Sequence, residues 1–277
     1  MGTTKQLSQE QVNYIIQAYS KEHKSMATIG SELEPPVSKT VIRRILTENN
    51  IAINQTNHKY YANYRIFQNI DNAEKAYWLG FIAADGCVYV REKNATVKIC
   101  LKYDDVHHLE KLKTFMDANV NIAEVFQTTG FASVDKPAKM AIIAFNSKEM
   151  AQDCINCGVV QNKSHLLEKP NIKEEYYLPY ILGYFDGDGS IYETSNGEFG
   201  INIIGTRKNI EWINEILQVS QKLEKRHEDK ETYHIRCGGT NKPYSIMKKL
   251  YDSCPVHLDR KYEVFKKLES VVLKRNL

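Results

Sequence analysis

The chain of 277 residues has no long uninterrupted apolar segment, and this absence excludes one large class of proteins. Charged residues make up 26% of the sequence, and no apolar run approaches the roughly 20 residues that a membrane-spanning helix needs. The first residues also lack the apolar stretch of a secretory signal peptide. We therefore expect an intracellular protein, in the cytoplasm, the nucleoid or an organelle, which has no membrane partner and is not secreted.

Cysteine is present, but without the spacing of a disulfide framework. One C-x-x-C pair, Cys154 and Cys157, has no second pair that would complete a zinc site. The pair lies in a stretch, 147–157, with a helical pattern. Reduced thiols are the rule inside cells, so we expect these two cysteines to be core thiols and not zinc ligands.

A strong basic excess is also missing, because 37 Lys and Arg residues stand against 34 Asp and Glu residues. The net charge is only +3, whereas many nucleic-acid-binding domains are markedly basic. Any surface that binds nucleic acid must therefore depend on where the cations are placed.

What the sequence does contain is one apolar element in two copies. Residues 76–89 read AYWLGFIAADGCVY and residues 179–192 read PYILGYFDGDGSIY. The identical pairs are Tyr77 and Tyr180, Leu79 and Leu182, Gly80 and Gly183, Asp85 and Asp188, Gly86 and Gly189, and Tyr89 and Tyr192. An interval of 103 residues between the two aspartates is too long for a solenoid repeat and is typical of a duplicated half-domain. The duplication predicts a two-fold site with one acid from each half.

Small residues lie four positions apart in each copy, and therefore on one face of a helix. They are Gly80 and Ala84 in the first copy and Gly183 and Gly187 in the second. Small side chains let two helix backbones nearly touch. If the helices pack through these faces, Asp85 and Asp188 emerge side by side at the helix C-termini. The simpler alternative is a pair of buried helices in which Asp-Gly is only a C-terminal cap.

Two carboxylates at helix C-termini are a natural site for a cation. Each meets the negative end of a helix dipole as well as the other carboxylate, and both effects disfavour ionisation. A divalent cation reverses the sign of this interaction. Oxygen ligands suit Mg²⁺, and the candidates are Asp85 and Asp188 with the last-turn carbonyl groups of Ala84 and Gly187. We expect Mg²⁺ as the cofactor.

The two copies resemble the LAGLIDADG motif of homing endonucleases, as WLGFIAADG at Trp78–Gly86 and ILGYFDGDG at Ile181–Gly189. Other segments also resemble that family: 104–116 and 207–217 the helix after the first hairpin of each half, 163–170 the connection into the second motif, and 258–262 the ending. The resemblance runs from Tyr77 to the C-terminus. It implies an α+β endonuclease domain, 73–277, built from two pseudo-symmetric αββαββα halves, 73–170 and 171–277. It also implies a monomer, because both motifs lie in one chain.

The resemblance further implies the reaction, which is a metal-dependent double-strand cut at a specific site in a long asymmetric DNA target. Asp85 and Asp188 would each serve one strand. A peripheral lysine assists in this family, and Lys139 fits by its position before the last helix of the first half, with Arg236 or Lys230 as the second-half counterpart. Lys139 could equally be an ordinary phosphate contact or a solvated lysine. Ala83 departs from the acidic residue that is common at the sixth motif position, which is not a metal ligand.

Strand patterns predict a polar sheet face in each half. In 97–103 the apolar residues alternate with Lys98, Cys100 and Lys102, and in 199–204 Asn202 lies on the face opposite three apolar residues. In 233–237, His234 and Arg236 share one side. Such faces are often merely solvated. Beside the duplicated motif we interpret them as a saddle that binds the major groove of double-stranded DNA through Lys98, Lys102, Asn202, His234 and Arg236.

The first fifty residues have a different pattern. Helical spacing is present in 7–19, after Ser8 as N-cap with Gln11 completing a capping box, in 25–33, and in 38–49, where Ser38 is the expected cap. Three short helices with a basic third helix resemble a helix-turn-helix domain, here 1–50, with Lys39, Thr40, Arg43 and Arg44 exposed toward DNA. A small helical bundle without a DNA role would look similar. The polar segment 51–72 is predicted to be a linker.

Two other functions use the same fold without cutting DNA. The chain could be a sequence-specific DNA-binding regulator or an intron RNA maturase. Loss of one acid would favour either of them, and both acids are present.

Overall fold

The computed structural model describes residues 7–22, 24–51, 53, 60–128, 136–161, 163–220, 222–227 and 230–275. The chain divides into an N-terminal unit that ends at Asn63 and also takes in Asp117–Val120, and a larger unit formed by the rest of the described residues. No helix in the described part of the chain is both long and apolar enough to cross a membrane.

The N-terminal unit contains three helices, α1 (Gln9–Ser20), α2 (Met26–Glu32) and α3 (Lys39–Glu48). Ser8 and Gln11 form the predicted capping box on α1. Ser38 occupies the predicted N-cap position of α3, where its carbonyl oxygen accepts from the amides of Val41 and Ile42, but its side chain makes no cap hydrogen bond. Gly30 lets α2 approach the turn before α3, because a Cβ at that position would overlap the carbonyl oxygen of Val37.

This unit has its own apolar core. The fully buried members are Ile15, Ala18, Ile29, Ile42 and Leu46. They come from all three helices at helical spacing, which is the pattern of helices that each bury one face. The predicted division into domain 1–50 and linker 51–72 remains a prediction, and residues 52 and 54–59 of that linker lie outside the described residues.

The larger unit contains two halves with the same order of elements. The first half consists of α4 (Ala73–Asp85), β1 (Gly86–Val90), β2 (Ala95–Lys102), α5 (Val106–Phe115), β3 (Ala123–Gln127), β4 (Ala138–Phe145) and α6 (Lys148–Asn156), followed by the short helix α7 (Lys163–Leu166). The second half consists of α8 (Tyr177–Asp188), β5 (Gly189–Glu193), β6 (Phe199–Gly205), α9 (Arg207–Leu217), β7 (Glu224–His227), β8 (Lys230–Gly238), α10 (Asn241–Tyr251) and α11 (Asp259–Arg275).

Each half forms a four-stranded antiparallel sheet, and the strand order is the same in both. The orders are β1-β2-β4-β3 and β5-β6-β8-β7. The first strand of each sheet follows directly from the helix that ends in Asp-Gly. The predicted α+β class with two αββαββα halves is therefore confirmed.

Helices α4 and α8 form the centre of this unit, since both are buried on every side over most of their length. A helix that is apolar all round is expected to lie in a core. The two cysteines of the C-x-x-C pair, Cys154 and Cys157, are also buried, and burial raises the pKa of the Cys157 thiol to about 11.

The central helices touch through their backbones at the predicted glycines. A Cβ at Gly80 would overlap the carbonyl oxygen of Tyr180 and lie 2.8 Å from its carbonyl carbon. A Cβ at Gly183 would overlap the carbonyl oxygen of Tyr77 and lie 2.9 Å from the amide nitrogen of Phe81. The contact is reciprocal, so the interpretation of the small residues as a helix–helix contact is confirmed.

Candidate active site

Asp85 and Asp188 are the last residues of the two central helices, and the structure places them at one end of the helix pair. A Cβ at Gly187 would lie 3.2 Å from the amide nitrogen of Asp85 and 3.3 Å from its carboxyl carbon. Both aspartate side chains remain accessible to solvent. Two carboxylates therefore meet where the helix pair opens toward solvent.

The residue that follows each aspartate must be glycine, because any side chain there would overlap the last turn of the helix. Gly86 and Gly189 have φ values of −78° and −98°, which any residue adopts. A Cβ at Gly86 would lie 2.8 Å from the Cα of Ile82, and one at Gly189 would lie 2.6 Å from the carbonyl oxygen of Phe185. Asp-Gly is thus a tight transition from helix to strand and not the left-handed cap that ends many helices.

The surroundings of the two aspartates disfavour the state in which both carboxyl groups are ionised. The pKa of Asp85 is raised to about 6, first because surrounding protein atoms displace water from it and second because of the Asp188 charge. Lys261, Lys163 and Arg260 act in the opposite direction without cancelling the shift. Without a cation, ionisation of Asp85 is therefore less favourable in the folded protein than in the unfolded chain.

Replacing Asp85 with asparagine should raise the melting temperature of the metal-free protein at neutral and higher pH. Folded Asp85 takes up its proton at a higher pH than the unfolded chain does, so its ionisation destabilises the fold. This destabilisation is absent below the ordinary Asp pKa of 3.8, grows up to about 6 and is complete above that value. Thermal melts in EDTA at about pH 4 and about pH 8 measure it, and an equal gain at both would contradict the assignment.

A lysine lies at the end of α4. Lys163, the first residue of α7, donates from Nζ to the carbonyl oxygen of Ala83 at 2.7 Å and also to that of Ala84. A longer bond of 3.4 Å reaches the carbonyl oxygen of Ile82. Burial lowers the pKa of Lys163, while the charges of Asp188 and then Asp85 raise it. The ammonium group thus covers the negative end of the helix next to Asp85.

A second lysine binds the carbonyl groups at the end of α8. Lys261, in the first turn of α11, donates from Nζ to the carbonyl oxygens of Phe185 at 2.7 Å, Asp186 at 2.7 Å and Gly189 at 2.6 Å. Burial lowers the pKa of Lys261 to about 8, and the Asp186 charge opposes that shift. Each helix end therefore has a lysine bound to its carbonyl groups, and of the two only Lys261 is fully buried.

Sequence reasoning missed both lysines. Lys163 and Lys261 lie in the segments 163–170 and 258–262, which were recognised as family-like without a role for their lysines. The available signal was their placement, since each lies in a segment that resembles the family at a corresponding point of its half.

Lys139, the lysine expected to assist, is placed elsewhere. Its Nζ lies 2.9 Å from Glu124 of β3 and 3.5 Å from the centre of the Tyr103 ring. On β4 it shares a face with the buried residues Ala141 and Ile143, which is the helix-covered face. Its counterpart Arg236 lies on β8, and the side chain of Lys230 is outside the described residues. A catalytic role for Lys139 remains a prediction, and these contacts do not favour it.

The oxygen atoms at the helix ends fit a divalent cation such as Mg²⁺. Within the described residues, no three His, Cys, Asp or Glu side chains are grouped to hold a metal ion. Mg²⁺, however, is usually held through one or two carboxylates and keeps several waters, which suits Asp85 and Asp188. Burial and then the Asp188 charge raise the pKa of Asp85, and a divalent cation would oppose both effects. Of the expected carbonyl ligands, the Ala84 oxygen already accepts from Lys163.

A cavity of about 230 Å³ opens beside Asp188 and Lys163. Its wall includes Ile204 of β6 and Thr232 of β8. These two residues lie on the outer face of the second sheet, because each is two residues away from a residue of that face, Asn202 or His234. The outer face of the second sheet therefore leads directly to the end of the helix pair.

The predicted polar residues of the second sheet share this outer face. Asn202 is the cross-strand partner of Arg236. Glu224 of β7 accepts a hydrogen bond from Arg236 at 2.8 Å and lies 3.1 Å from the Nε2 atom of His234. The Arg236 charge on this face is therefore paired with a glutamate.

The first sheet has a corresponding face. Lys98 and Lys102 are exposed on β2, and Cys100 lies between them on the same side. Burial raises the pKa of Cys100, and the charge of Asp85 adds to that shift. The Asp85 charge therefore acts on a side chain of this sheet face.

In the N-terminal unit, the four residues predicted to contact DNA are all exposed on α3. They are Lys39, Thr40, Arg43 and Arg44. Ile42, Ile45 and Leu46 of the same helix are buried. The cationic face of α3 is therefore available for binding, and its role remains a prediction.

The fold and the helix ends together define the class, an α+β protein of two αββαββα halves with paired acids at the central helix ends. No family model matches the chain, and no curated protein sequence matches it. Among solved structures, it is similar to the meganuclease I-SmaMI bound to uncleavable DNA, with a TM-score of 0.48, 13% identity, and coverage of 71% of this chain and 89% of that one.

Two further solved structures are similar to a comparable extent. The I-LtrWI LAGLIDADG homing endonuclease bound to target DNA gives a TM-score of 0.47 at 13% identity over 76% of this chain and 92% of that chain. The LAGLIDADG homing endonuclease I-GzeII in complex with its DNA target gives 0.45 at 11% identity over 73% and 92%. Identities and TM-scores this low transfer neither an activity nor the role of a residue to this chain.

Proposed function

We propose that the chain is a site-specific, Mg²⁺-dependent DNA endonuclease that cuts both strands of a long asymmetric target. One observation carries the proposal: two solvent-accessible carboxylates, Asp85 and Asp188, lie together where two closely packed helices end. A core helix pair gains no stability from paired acids, because each disfavours the ionisation of the other. Their placement therefore indicates a cation and a reaction.

The residues at the helix ends would have different roles in phosphodiester hydrolysis. A bound divalent cation supplies an activated water and stabilises negative charge on the attacking and leaving oxygens. Asp85 and Asp188 would hold such cations, one acid for each strand. Lys163 and Lys261 neutralise the helix-end carbonyl groups beside them, and their positive charge favours a phosphate nearby.

The outer faces of the sheets would bind the DNA. Lys98, Lys102 and Arg236 suit phosphates and guanine edges, and the Asn202 amide suits an adenine edge. The two faces carry different side chains, so the target should be asymmetric. Because both motifs lie in one chain, a monomer should suffice for both strands.

The test is cleavage of a randomised plasmid library by the purified protein with Mg²⁺, followed by sequencing of the cut ends. A recurring sequence at the ends, absent when EDTA replaces Mg²⁺, supports the proposal. Recovery of a bound DNA sequence without any cut would instead identify a DNA-binding regulator. Specific binding of intron RNA alone would identify a maturase.

Deleting residues 1–57 should weaken or broaden target binding and leave a folded nuclease core. The three N-terminal helices bury their apolar residues in a cluster of their own, so the larger unit keeps its core. Binding should become less salt-dependent, with the slope falling by about 1 for each phosphate contact that is lost. Thermal melts and DNA titrations at several salt concentrations measure both effects. Loss of cooperative unfolding in the truncated protein would contradict the prediction.

A further inference from the structure

The two motif copies differ at their sixth position, which is Asp186 in α8 and Ala83 in α4. Asp186 is fully buried. Its Oδ2 atom accepts two hydrogen bonds of 2.8 Å, one from the hydroxyl of Tyr77 and one from the backbone amide of Leu258. A buried carboxylate needs such donors, because burying it without partners is strongly unfavourable.

The Leu258 amide marks the start of α11, the helix that carries Lys261. The amides of Lys261 and Tyr262 both donate to the Leu258 carbonyl oxygen at 3.1 Å, which forms the first turn. Lys261 in turn donates to the backbone carbonyl of Asp186 at 2.7 Å. The Asp186 side chain thus holds the backbone before Lys261, and the Lys261 side chain holds the backbone of Asp186.

Two ion pairs of this segment are exposed to solvent. Arg260 pairs with Asp105 at 2.9 Å and is 57% exposed, and Lys111 reaches Asp259 at 2.5 Å with both side chains more than a third exposed. Ion pairs exposed to this degree contribute little to holding a segment. The buried hydrogen bond from the Leu258 amide to Asp186 joins the backbone of this segment to α8.

Among the described residues of the first half there is no equivalent of this hydrogen bond. Ala83 has no side-chain acceptor, and the hydroxyl of Tyr180, the counterpart of Tyr77, is buried without a hydrogen-bond partner among the described residues. Lys163 is held through another route, since the hydroxyl of Thr206 donates to the carbonyl oxygen of Leu167 and the Leu167 amide donates to Lys163. The two lysines are therefore positioned by different means.

We propose that Asp186 is a positioning residue for one of the two cleavage centres: it holds the start of α11 so that Lys261 reaches the carbonyl groups at the end of α8. The first centre works without such a carboxylate. The inference rests on the proposed function and adds that the two strands depend on different supports. Loss of Asp186 should therefore affect one strand and not the other.

The first arm measures cleavage strand by strand. Each strand of a target duplex carries its own 5′ fluorophore, and single-turnover rates are compared for the parent, Asp186→Ala, Asp186→Asn and Lys261→Ala. Asp186→Ala should slow the strand that Lys261→Ala also slows, by roughly 10²-fold, because a displacement of about 1 Å in a catalytic site can have that effect. The other strand should stay near the parent rate.

Asp186→Asn and Tyr77→Phe are the matched controls. Asparagine retains an acceptor for the Leu258 amide and should lose clearly less activity than alanine does. Tyr77→Phe removes the other hydrogen bond of Asp186 and leaves the one to Leu258, so both strands should be cut at nearly the parent rate. Equal slowing of both strands by Asp186→Ala, or no slowing at all, would overturn the proposal.

The second arm does not depend on cleavage. Amide hydrogen exchange of Leu258, Lys261 and Tyr262 should accelerate in Asp186→Ala, while the amide of Leu167 keeps its parent rate. Should the parent protein cut no DNA, the proposed function fails and this arm alone decides the positioning role. Unchanged exchange at Leu258 would refute that role. If the alanine variant does not fold, Asp186→Asn is compared with the parent in the same measurement: a neutral acceptor holds the Leu258 amide less strongly than a carboxylate does, so exchange at Leu258 should be faster, and an unchanged rate would refute the positioning role.

Discussion

Asparagine in place of either Asp85 or Asp188 is expected to abolish double-strand cleavage while largely sparing DNA binding. Asparagine keeps the size of the side chain but removes the charge that a divalent cation requires. Partners that merely support metal ligands are worth about 10–100-fold, so a ligand itself should be worth at least about 100-fold. Neither carboxylate is on the sheet faces that would contact bases, so binding should change little.

Supercoiled plasmid carrying the target is the best substrate, because nicked and linear products separate on a gel. A single mutant should give at most nicked DNA, and the double mutant should leave the plasmid supercoiled. Asp104→Asn, an exposed aspartate in the turn before α5, is the matched control and should cut normally. A single mutant that linearises the plasmid at the parent rate would refute the two-acid assignment.

Leucine at Gly183 should do far more damage than methionine at Leu182, although both changes keep α8 apolar. A Cβ at Gly183 would already overlap the carbonyl oxygen of Tyr77, and backbone atoms on the facing helix cannot rotate away. Overpacking typically destabilises by about 1–3 kcal/mol, whereas Leu→Met roughly conserves volume and usually costs less than about 1.5 kcal/mol. Separation of the helices would also separate Asp85 from Asp188.

Cleavage by Gly183→Leu should therefore fall further than its loss of stability explains. Functional constellations tolerate only about 0.5 Å of displacement. Thermal melts and cleavage rates of both variants, measured well below each melting temperature, distinguish the two effects. If Gly183→Leu melts and cuts like the parent, the helices do not pack through this glycine.

Local patterns predicted the central helices and the core faces of two strands, whereas the order of elements in each half was predicted from the family resemblance. The duplicated apolar element with its small residues specified the central helices, and alternation on β2 and β6 specified which side chains face the core. On β4 the pattern failed, because AKMAIIAF is apolar on both faces. The sequence therefore did not show that Lys139 lies on the helix-covered side.

The lysines at the helix ends could not be derived from local patterns. Lys163 reaches carbonyl groups about 80 residues earlier in the chain, and Lys261 reaches carbonyl groups more than 70 residues earlier. Lysine is almost never fully buried unless it is paired, so a lysine in an unremarkable segment is ordinarily taken as solvated. Only the assembled fold brings these ammonium groups to the helix ends.

The reciprocal contact of Gly80 with Tyr180 and of Gly183 with Tyr77 fixes the distance between the two central helices. Because the backbones of α4 and α8 are in direct contact, the distance between the two acids does not depend on the side chains of the outer sheet faces. Under the proposed function, the stagger between the two cuts is then the same for every target, whatever bases are recognised. On the same proposal, substitutions on β2, β6 or β8 should change the DNA sequence that is recognised and leave the length of the overhang unchanged.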